Sequence, residues 1–400
     1  METASNSPQP KIVTCPACGL LCDDIALNST SPIRVKSDCA KSVSFFEQPL
    51  SHTSPSVAGT TTDIGAAIKA AANILIKSNQ PLFAGLGTEV QGMRALMRLA
   101  EKTNATLDHM HSESTLRNTL VLQNSGWQTT TLTEVKNRAD LILAIGTDIV
   151  SSHPRFFEKL VWNTDSLFKE SKPEVIYLGK ATETENLPEM MNVLNALANG
   201  KKLQVNDVAG VSIESLQTIL DKLKVAKYAV VVWSAKSFNF PHAELTIQSI
   251  TRLIAKLNET TRIAGLPLNS GDGDTSINNT SAWLSGYATR SRFSNGQPEY
   301  NVHEFSTQKQ LKSCDGILWI STFNADEPPL TDAPTIVIGH PNTQFTTHPD
   351  VFIPVGIPGL DHTGTMFRMD GSAVLPLKKV RSSDLPTLSE VIHQIEALLP

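Results

Sequence analysis

The sequence is short of charge. Asp, Glu, Lys and Arg make up 18% of its 400 residues, against about 25% in ordinary soluble domains, which leaves a good share of the surface suited to cover by partners. The formal net charge of −5 is spread along the chain and no stretch is a basic tract, which argues against nucleic acid as a main partner. Long apolar runs are missing too. The longest, around Leu141–Ile145 and Ala229–Trp233, are strand-sized, well below the ~18 residues of a bilayer-crossing helix. Met1–Pro10 is polar and has no apolar core of the kind a secretory signal needs, so the reading is a cytoplasmic chain without a membrane partner.

Several catalytic patterns are absent. No Gly-x-Ser-x-Gly elbow occurs, and Cys314 has no recognisable base partner, which removes the nucleophilic hydrolases. Gly85-Leu86-Gly87-Thr88 follows a strand pattern, but the third glycine position of a dinucleotide fingerprint is Val90, which argues against NAD. Asp272-Gly273-Asp274 lacks the later ligands of a calcium loop and reads as a turn. His109 and His111, with Glu113 beyond, alternate in a loop without an evident further ligand and read as a polar pocket wall. His340, His348 and His362 are too scattered to group.

Cysteine is scarce but concentrated. Of five, Cys15, Cys18, Cys22 and Cys39 lie near the amino terminus and Cys314 stands alone. The odd count and the clustering favour a metal site over a disulfide framework. Cys15, Cys18 and Cys22 converge on one centre only if their loop wraps round it, and Cys39 arrives from a second segment to close the coordination sphere. Four such thiolates suit a [4Fe–4S] cluster and equally a tetrahedral zinc. Zinc sites more often pair two C-x-x-C knuckles, which leans the reading towards iron–sulfur. Empty thiols are the third state.

Beyond a Pro/Ser-rich stretch from Gln48 to Ser56, apolar positions Ile64, Ala67, Ile68, Ala71 and Leu75 predict a helix, Pro81–Ala84 a buried strand, and Val90, Met93, Leu96, Met97 and Ala100 a second helix. Bare apolar runs recur at Asp140–Gly146, Tyr228–Trp233, Gly316–Ser321 and Thr335–Gly339, as buried parallel strands do. Between them lie helical patterns such as Ile213–Leu223 and His242–Leu257, and the chain closes on a helix with Thr387 and Glu390 placed as a capping box. Strands alternating with helices predict a doubly wound α/β architecture, with ligands beyond the carboxyl ends of the strands.

The run from Cys15 to Ile25, together with Cys39-Ala40-Lys41, resembles the amino-terminal signature of the B subunit of formylmethanofuran dehydrogenase, of the molybdopterin oxidoreductase superfamily. The similarity extends through Glu134–Asp140, Gly146–Asp148, Ser152–Arg155, Trp283–Tyr287, Phe293–Asn301 and Gly364–Gly371. The resemblance implies a Cys-rich segment over 1–55 and two Rossmann-like α/β domains, 56–165 with 305–400 and an inserted 166–304, without the superfamily's carboxy-terminal pterin-capping domain. It implies a [4Fe–4S] cluster on Cys15, Cys18, Cys22 and Cys39, with Lys41 between cluster and pterin.

The chain departs from that family at the metal pocket. The cysteine or selenocysteine that holds the metal falls at Ser114, the histidine beside it at Thr115, and an arginine of the Phe-Ser-Arg-Gly stretch at Asn295. A soft thiolate, a proton carrier and an anion-binding base are what formate–CO2 chemistry needs, so the expectation is a vestigial pocket without a molybdenum or tungsten pterin. The bacterial formyltransferase/hydrolase complex of methanopterin-linked formaldehyde oxidation fits this departure. By resemblance the chain would be its redox-inactive B subunit, together with a zinc amidohydrolase-like A, a formyltransferase-like D and a C subunit. The alternatives are a working dehydrogenase subunit with serine as metal ligand, and a zinc-stabilised binding protein outside one-carbon metabolism.

Overall fold

The structure, a computed structural model, describes residues 11–30, 32–51 and 54–400. The polar Met1–Pro10 stretch lies outside the described residues. The chain is a mixed α/β protein with several sheets. Among the described residues no helix is long and apolar enough to cross a membrane. Two compact units form: residues up to 112 with 271–368 and 374–400, and residues 113–270 with 369–373.

The first unit is built on a nine-stranded sheet. Its middle is parallel, in the order Thr106–Leu107, Leu82–Gly87, Ile317–Ser321, Thr335–Gly339, Val351–Pro354. Antiparallel hairpins extend both edges: Ser291–Ser294 with Gln297–Tyr300 beyond Thr106–Leu107, and Ser56–Val57 with Thr60–Thr61 beyond Val351–Pro354. Alternation along the strands sends Phe83, Leu318, Ile320, Ile336, Ile338 and Ile353 to one face, against helices Ile64–Lys77, Val90–Thr103 and Leu388–Glu396. Leu82, Ala84, Ile317, Trp319, Val337 and Phe352 fill a smaller cluster on the other face. Each fully buried Leu, Ile or Phe contributes about 1.5–3 kcal/mol over exposure.

The helix ends are chemically defined. Asp63 Oδ1 accepts from Ala66 N at 2.9 Å to start Ile64–Lys77, and Asn104 at φ 54° stops Val90–Thr103. Thr387 and Glu390 form the capping box of Leu388–Glu396. Before the sheet, Lys11–Val13, Ile25–Thr30 and Ile33–Lys36 make a small antiparallel sheet, followed by the short helix Ala40–Phe46.

The second unit carries a four-stranded parallel sheet in the order Ile263–Leu268, Ala229–Ser234, Leu141–Ile145, Glu174–Leu178. Helices Leu187–Ala198, Ile213–Val225 and Ala243–Leu257 pack on it through Leu194, Leu220, Ile250 and Ile254 around Trp233.

These units shift the boundaries expected from the sequence. Leu141–Ile145, assigned there to 56–165, pairs with Ala229–Ser234 and so belongs to the second unit. Ser291–Ser294, assigned to 166–304, pairs with Thr106–Leu107 and so belongs to the first. Strand pairing over-rides chain order.

Gly85 shows how closely the first sheet is assembled. Its φ is +77°, and a Cβ there would come within 2.5 Å of the Ile320 carbonyl oxygen. Gly200 has a similar φ of +71° but open space around it. In urea unfolding, Gly200→Ala is expected to lose about 1 kcal/mol from its backbone conformation alone. Gly85→Ala should lose at least twice that, since its clash is with backbone. Equal losses in the two variants would mean that the close approach contributes nothing.

Candidate functional site

Loops at the carboxyl ends of the first unit's parallel strands enclose a cleft of about 540 Å3. Phe323, Asn324 and Ala325 come from the loop after Ile317–Ser321, and His340 and Asn342 from the loop after Thr335–Gly339. Asp272 enters from the Gly271–Asp274 turn. The opposite wall is the amino-terminal segment: Pro16 and Ala17 of the cysteine loop, Ala40, Lys41, Ser44, Phe45 and Gln48.

The cysteine loop is folded back on itself. Cys15 N donates to Cys22 O at 2.9 Å, and a tight turn from Cys18 O to Leu21 N at 3.2 Å puts the buried Leu21 at φ +46°. Cys15, Cys22 and Cys39 are buried and Cys18 is half-buried. Cys39 is the first, non-helical residue before Ala40–Phe46. Burial pushes the Cys15 thiol up, and Cys18, Cys22 and Cys39 push the same way, which puts the four thiols in one electrostatic neighbourhood. Among the described residues, no three His, Cys, Asp or Glu side chains stand in an arrangement that would hold a metal ion.

A chain of hydrogen bonds ties this wall to the sheet. Arg381 pairs with Asp361 through two contacts, Nε to Oδ1 at 2.7 Å and an Nη to Oδ2 at 2.9 Å, and donates to Gln48 O at 2.9 Å. His340 Nδ1 accepts from Asn342 N at 3.0 Å, so the proton lies on Nε2, which donates to Gln48 Oε1 at 2.6 Å. Burial, aided by Arg381 and opposed by Asp361, pushes His340 down to about 4. Asp361 also acts on His362. Two histidines that look scattered in the sequence therefore both lie within the field of one carboxylate, while His348 stays apart, tilted against Phe345.

Asp272 is the other ordered polar centre. His109 Nδ1 accepts from His111 N at 3.0 Å and its Nε2 meets Asp272 O at 3.2 Å. His111 Nε2 lies 2.9 Å from Asp272 Oδ2, and Asn324 Nδ2 donates to Oδ1. Burial alone would raise the Asp272 carboxyl; the bonds from His111 and Asn324 outweigh it and hold the group below its ordinary value. His109, by contrast, is lowered by burial. The two histidines thus serve one aspartate. The signal for Asp272 was present in the sequence, an Asp between Gly271 and Gly273, but a turn at φ +50° and a site residue look alike there.

The second unit holds Ser114 and Thr115, at the start of helix Ser112–Ser125. Ser114 Oγ lies 2.7 Å from Ser270 Oγ, and the Thr115 carbonyl accepts from Thr119 Oγ1 at 3.1 Å. In the same unit His153 Nε2 bonds Asn269 Oδ1 at 2.7 Å, Lys236 Nζ reaches Ser270 O at 3.3 Å and Arg117 reaches Ala235 O at 2.8 Å. Asn295 does something else. It is exposed at the tip of the Ser291–Tyr300 hairpin, where Asn295 at φ 50° and Gly296 at φ 74° make the two-residue turn. Asn-Gly is the preferred sequence for that turn, so its Asn is explained by backbone geometry rather than by a pocket.

No family model matches this chain. Individual relatives do, and they share one class: B subunits of one-carbon formyl enzymes. The B subunit of the tungsten-containing formylmethanofuran dehydrogenase 2 of Methanococcus maripaludis is 26% identical over 97% of this chain and 99% of its own. The same-named protein of Methanocaldococcus jannaschii is 26% identical over 92% and 93%. The B subunit of the formyltransferase/hydrolase complex Fhc of Methylorubrum extorquens is 29% identical over 78% of this chain and 87% of its own. A chain in the crystal structure of the complex FhcABCD from that organism, with methylofuran, superposes with a TM-score of 0.72 at 25% identity, over 86% of this chain and 98% of that one. This chain is a homologue of the B subunits of formylmethanofuran dehydrogenase and of the formyltransferase/hydrolase complex.

The lowered His340 has a consequence for stability. The unfolded imidazole binds its proton at its ordinary pKa and the folded one only near 4, so the stability it contributes is complete above about pH 6.5 and is lost as pH falls towards 4. Replacing the titrating ring in His340→Gln is expected to shrink the loss of unfolding free energy between pH 6.5 and 4 by roughly 3 kcal/mol. An unchanged pH slope in the variant would show that His340 is not the group responsible.

Proposed function

We propose that this chain is a redox-inactive structural B subunit of a formyltransferase/hydrolase complex in methanopterin-linked formaldehyde oxidation. Its partners are a zinc amidohydrolase-like A subunit, a formyltransferase-like D subunit and a C subunit. The observation that carries the redox-inactive reading is Ser114. At the position where the dehydrogenases supply a soft metal-binding thiolate this chain has a hydroxyl, and that hydroxyl is engaged with Ser270. The similarity to a chain of FhcABCD supports the choice of complex.

In the same reading the fold is a cysteine-rich cap on two Rossmann-like doubly wound domains, as in molybdopterin oxidoreductases. The parallel sheets and their covering helices support it. The donor set at Cys15, Cys18, Cys22 and Cys39 fits a metal–thiolate centre in kind, and we assign it a [4Fe–4S] cluster, with zinc as the alternative. Such a cluster supplies one-electron storage when bound; in a complex without net redox change it serves to hold the loop. By the resemblance Lys41 is the cation between that centre and the pterin site; its position on the cleft wall, two residues after Cys39, supports this reading.

Co-expression with A, C and D subunits should yield one complex with formyl-transfer and formate-releasing activity. Anaerobic elemental analysis of that complex should give about four irons per copy of this chain and neither molybdenum nor tungsten. Stoichiometric tungsten or molybdenum would restore the dehydrogenase reading.

Ser114→Ala should leave the activity of the complex within about twofold, because the hydroxyl it removes, bonded to Ser270, takes no part in the chemistry under this proposal. A drop beyond tenfold, equivalent to about 1.4 kcal/mol of barrier, would place Ser114 in the chemistry and sink the proposal.

A further inference from the structure

Glu89 is a carboxylate that the proposed function does not use, and its role is independent of that function. It is 2% exposed, at the end of the loop that links strand Leu82–Gly87 to helix Val90–Thr103. It caps that helix, accepting from Gln91 N at 2.5 Å and Gly92 N at 2.7 Å. The backbone N–H of Thr365, in strand Gly364–Phe367, also acts on the carboxyl. That strand lies directly on the carboxylate stem, for a Cβ at Gly364 would come within 3.1 Å of Glu89 Cγ. Two other bonds seat it: Gln91 Nε2 to Thr365 Oγ1 at 2.9 Å and Phe367 N to Ser276 Oγ at 3.0 Å.

The elements packed against this helix carry charged or titratable groups of their own. These are Asp274 on Asp274–Ser285, Glu390, His393 and Glu396 on Leu388–Glu396, and Arg292 on Ser291–Ser294. His362 and Arg368 flank the strand, and Arg94 and Arg98 lie on the helix itself. None of them figures among the influences on Glu89; burial and three backbone N–H groups act on it.

We propose that Glu89 is a proton-operated latch for strand Gly364–Phe367: the neutral carboxyl keeps the strand seated on helix Val90–Thr103, and ionisation loosens it. Two effects compete. The N–H groups of Gln91 and Gly92 bond a charged oxygen more strongly than a neutral one. Against them, a carboxylate without a counter-charge is costly away from water. Burial wins and raises the group to about 7, so the proton leaves within the neutral range. The folded value being raised, the seating is complete below the ordinary glutamate pKa and is lost as pH rises through about 7. Lifting the strand exposes Glu89 to water and returns its pKa towards that of a free side chain.

Hydrogen exchange in the intact chain, corrected for intrinsic rates, tests this. Between pH 6 and 8 the protection of Thr365, Met366 and Phe367 amides should fall about tenfold, the change that linkage gives for a group moving from near 7 to near 4.5. In Glu89→Gln the protection of these amides should not change with pH. A wild-type protection independent of pH, or the same fall in the variant, overturns the latch. A direct reading stands beside the variant in case it does not fold: carbon-13 titration of the Glu89 carboxyl in the wild-type chain. A midpoint near 7 supports the proposal and a midpoint below 5 overturns it.

Discussion

The cleft of the first unit depends on the bidentate pair between Arg381 and Asp361. Asp361 is almost wholly buried, and a buried charge needs a partner with matched geometry, because losing one member of such a pair costs about 3–5 kcal/mol. The planar guanidinium supplies two contacts to the carboxylate and keeps one donor for Gln48 O. Gln48 Oε1 in turn accepts a hydrogen bond from His340 Nε2. One ion pair thus fastens a segment near the carboxyl end, the end of the cysteine-rich segment and a strand-end loop to one another. The two walls of the cleft stay in register because their polar atoms are committed to each other rather than to solvent.

The frame that this pair stabilises is shared with proteins that carry tungsten by name, at about one quarter sequence identity over nearly the whole chain. What differs is local. In the reading proposed above, a hydroxyl at position 114 in place of a thiolate changes which metal a site can hold without altering a helix or a strand. A fold can outlast the chemistry it once framed, since the hydrophobic layers that hold the sheets do not include the residues that would do the chemistry.

Much of the α/β frame was legible in the sequence because buried parallel strands are bare apolar runs. Leu141–Ile145, Ala229–Ser234, Ile317–Ser321 and Thr335–Gly339 are all of this kind. Ile263–Leu268 was hidden by Gly265 and Pro267, which read as breakers, yet it is the edge strand of its sheet, where proline is tolerated. The capping box at Thr387 and Glu390 was readable because it is local. The grouping of Asp361, Arg381, His340 and Gln48 was not, because only the fold brings together positions so far apart in the chain. Position 295 illustrates the reverse: the family resemblance leads one to expect an arginine there, while the dipeptide Asn295-Gly296 spells a tight turn in its own right.

The short return of the chain to the second unit at Met369–Ala373 has a practical side. There Asp370 Oδ2 accepts from Leu132 N at 2.7 Å, at the first turn of helix Leu132–Arg138, beside the cap that Thr131 already provides. A polypeptide cut at 113 and 270 would contain every strand of its sheet and still lack that acceptor. The second unit is therefore not a cassette that two cuts can remove or transplant: one of its helix caps is encoded more than two hundred positions downstream.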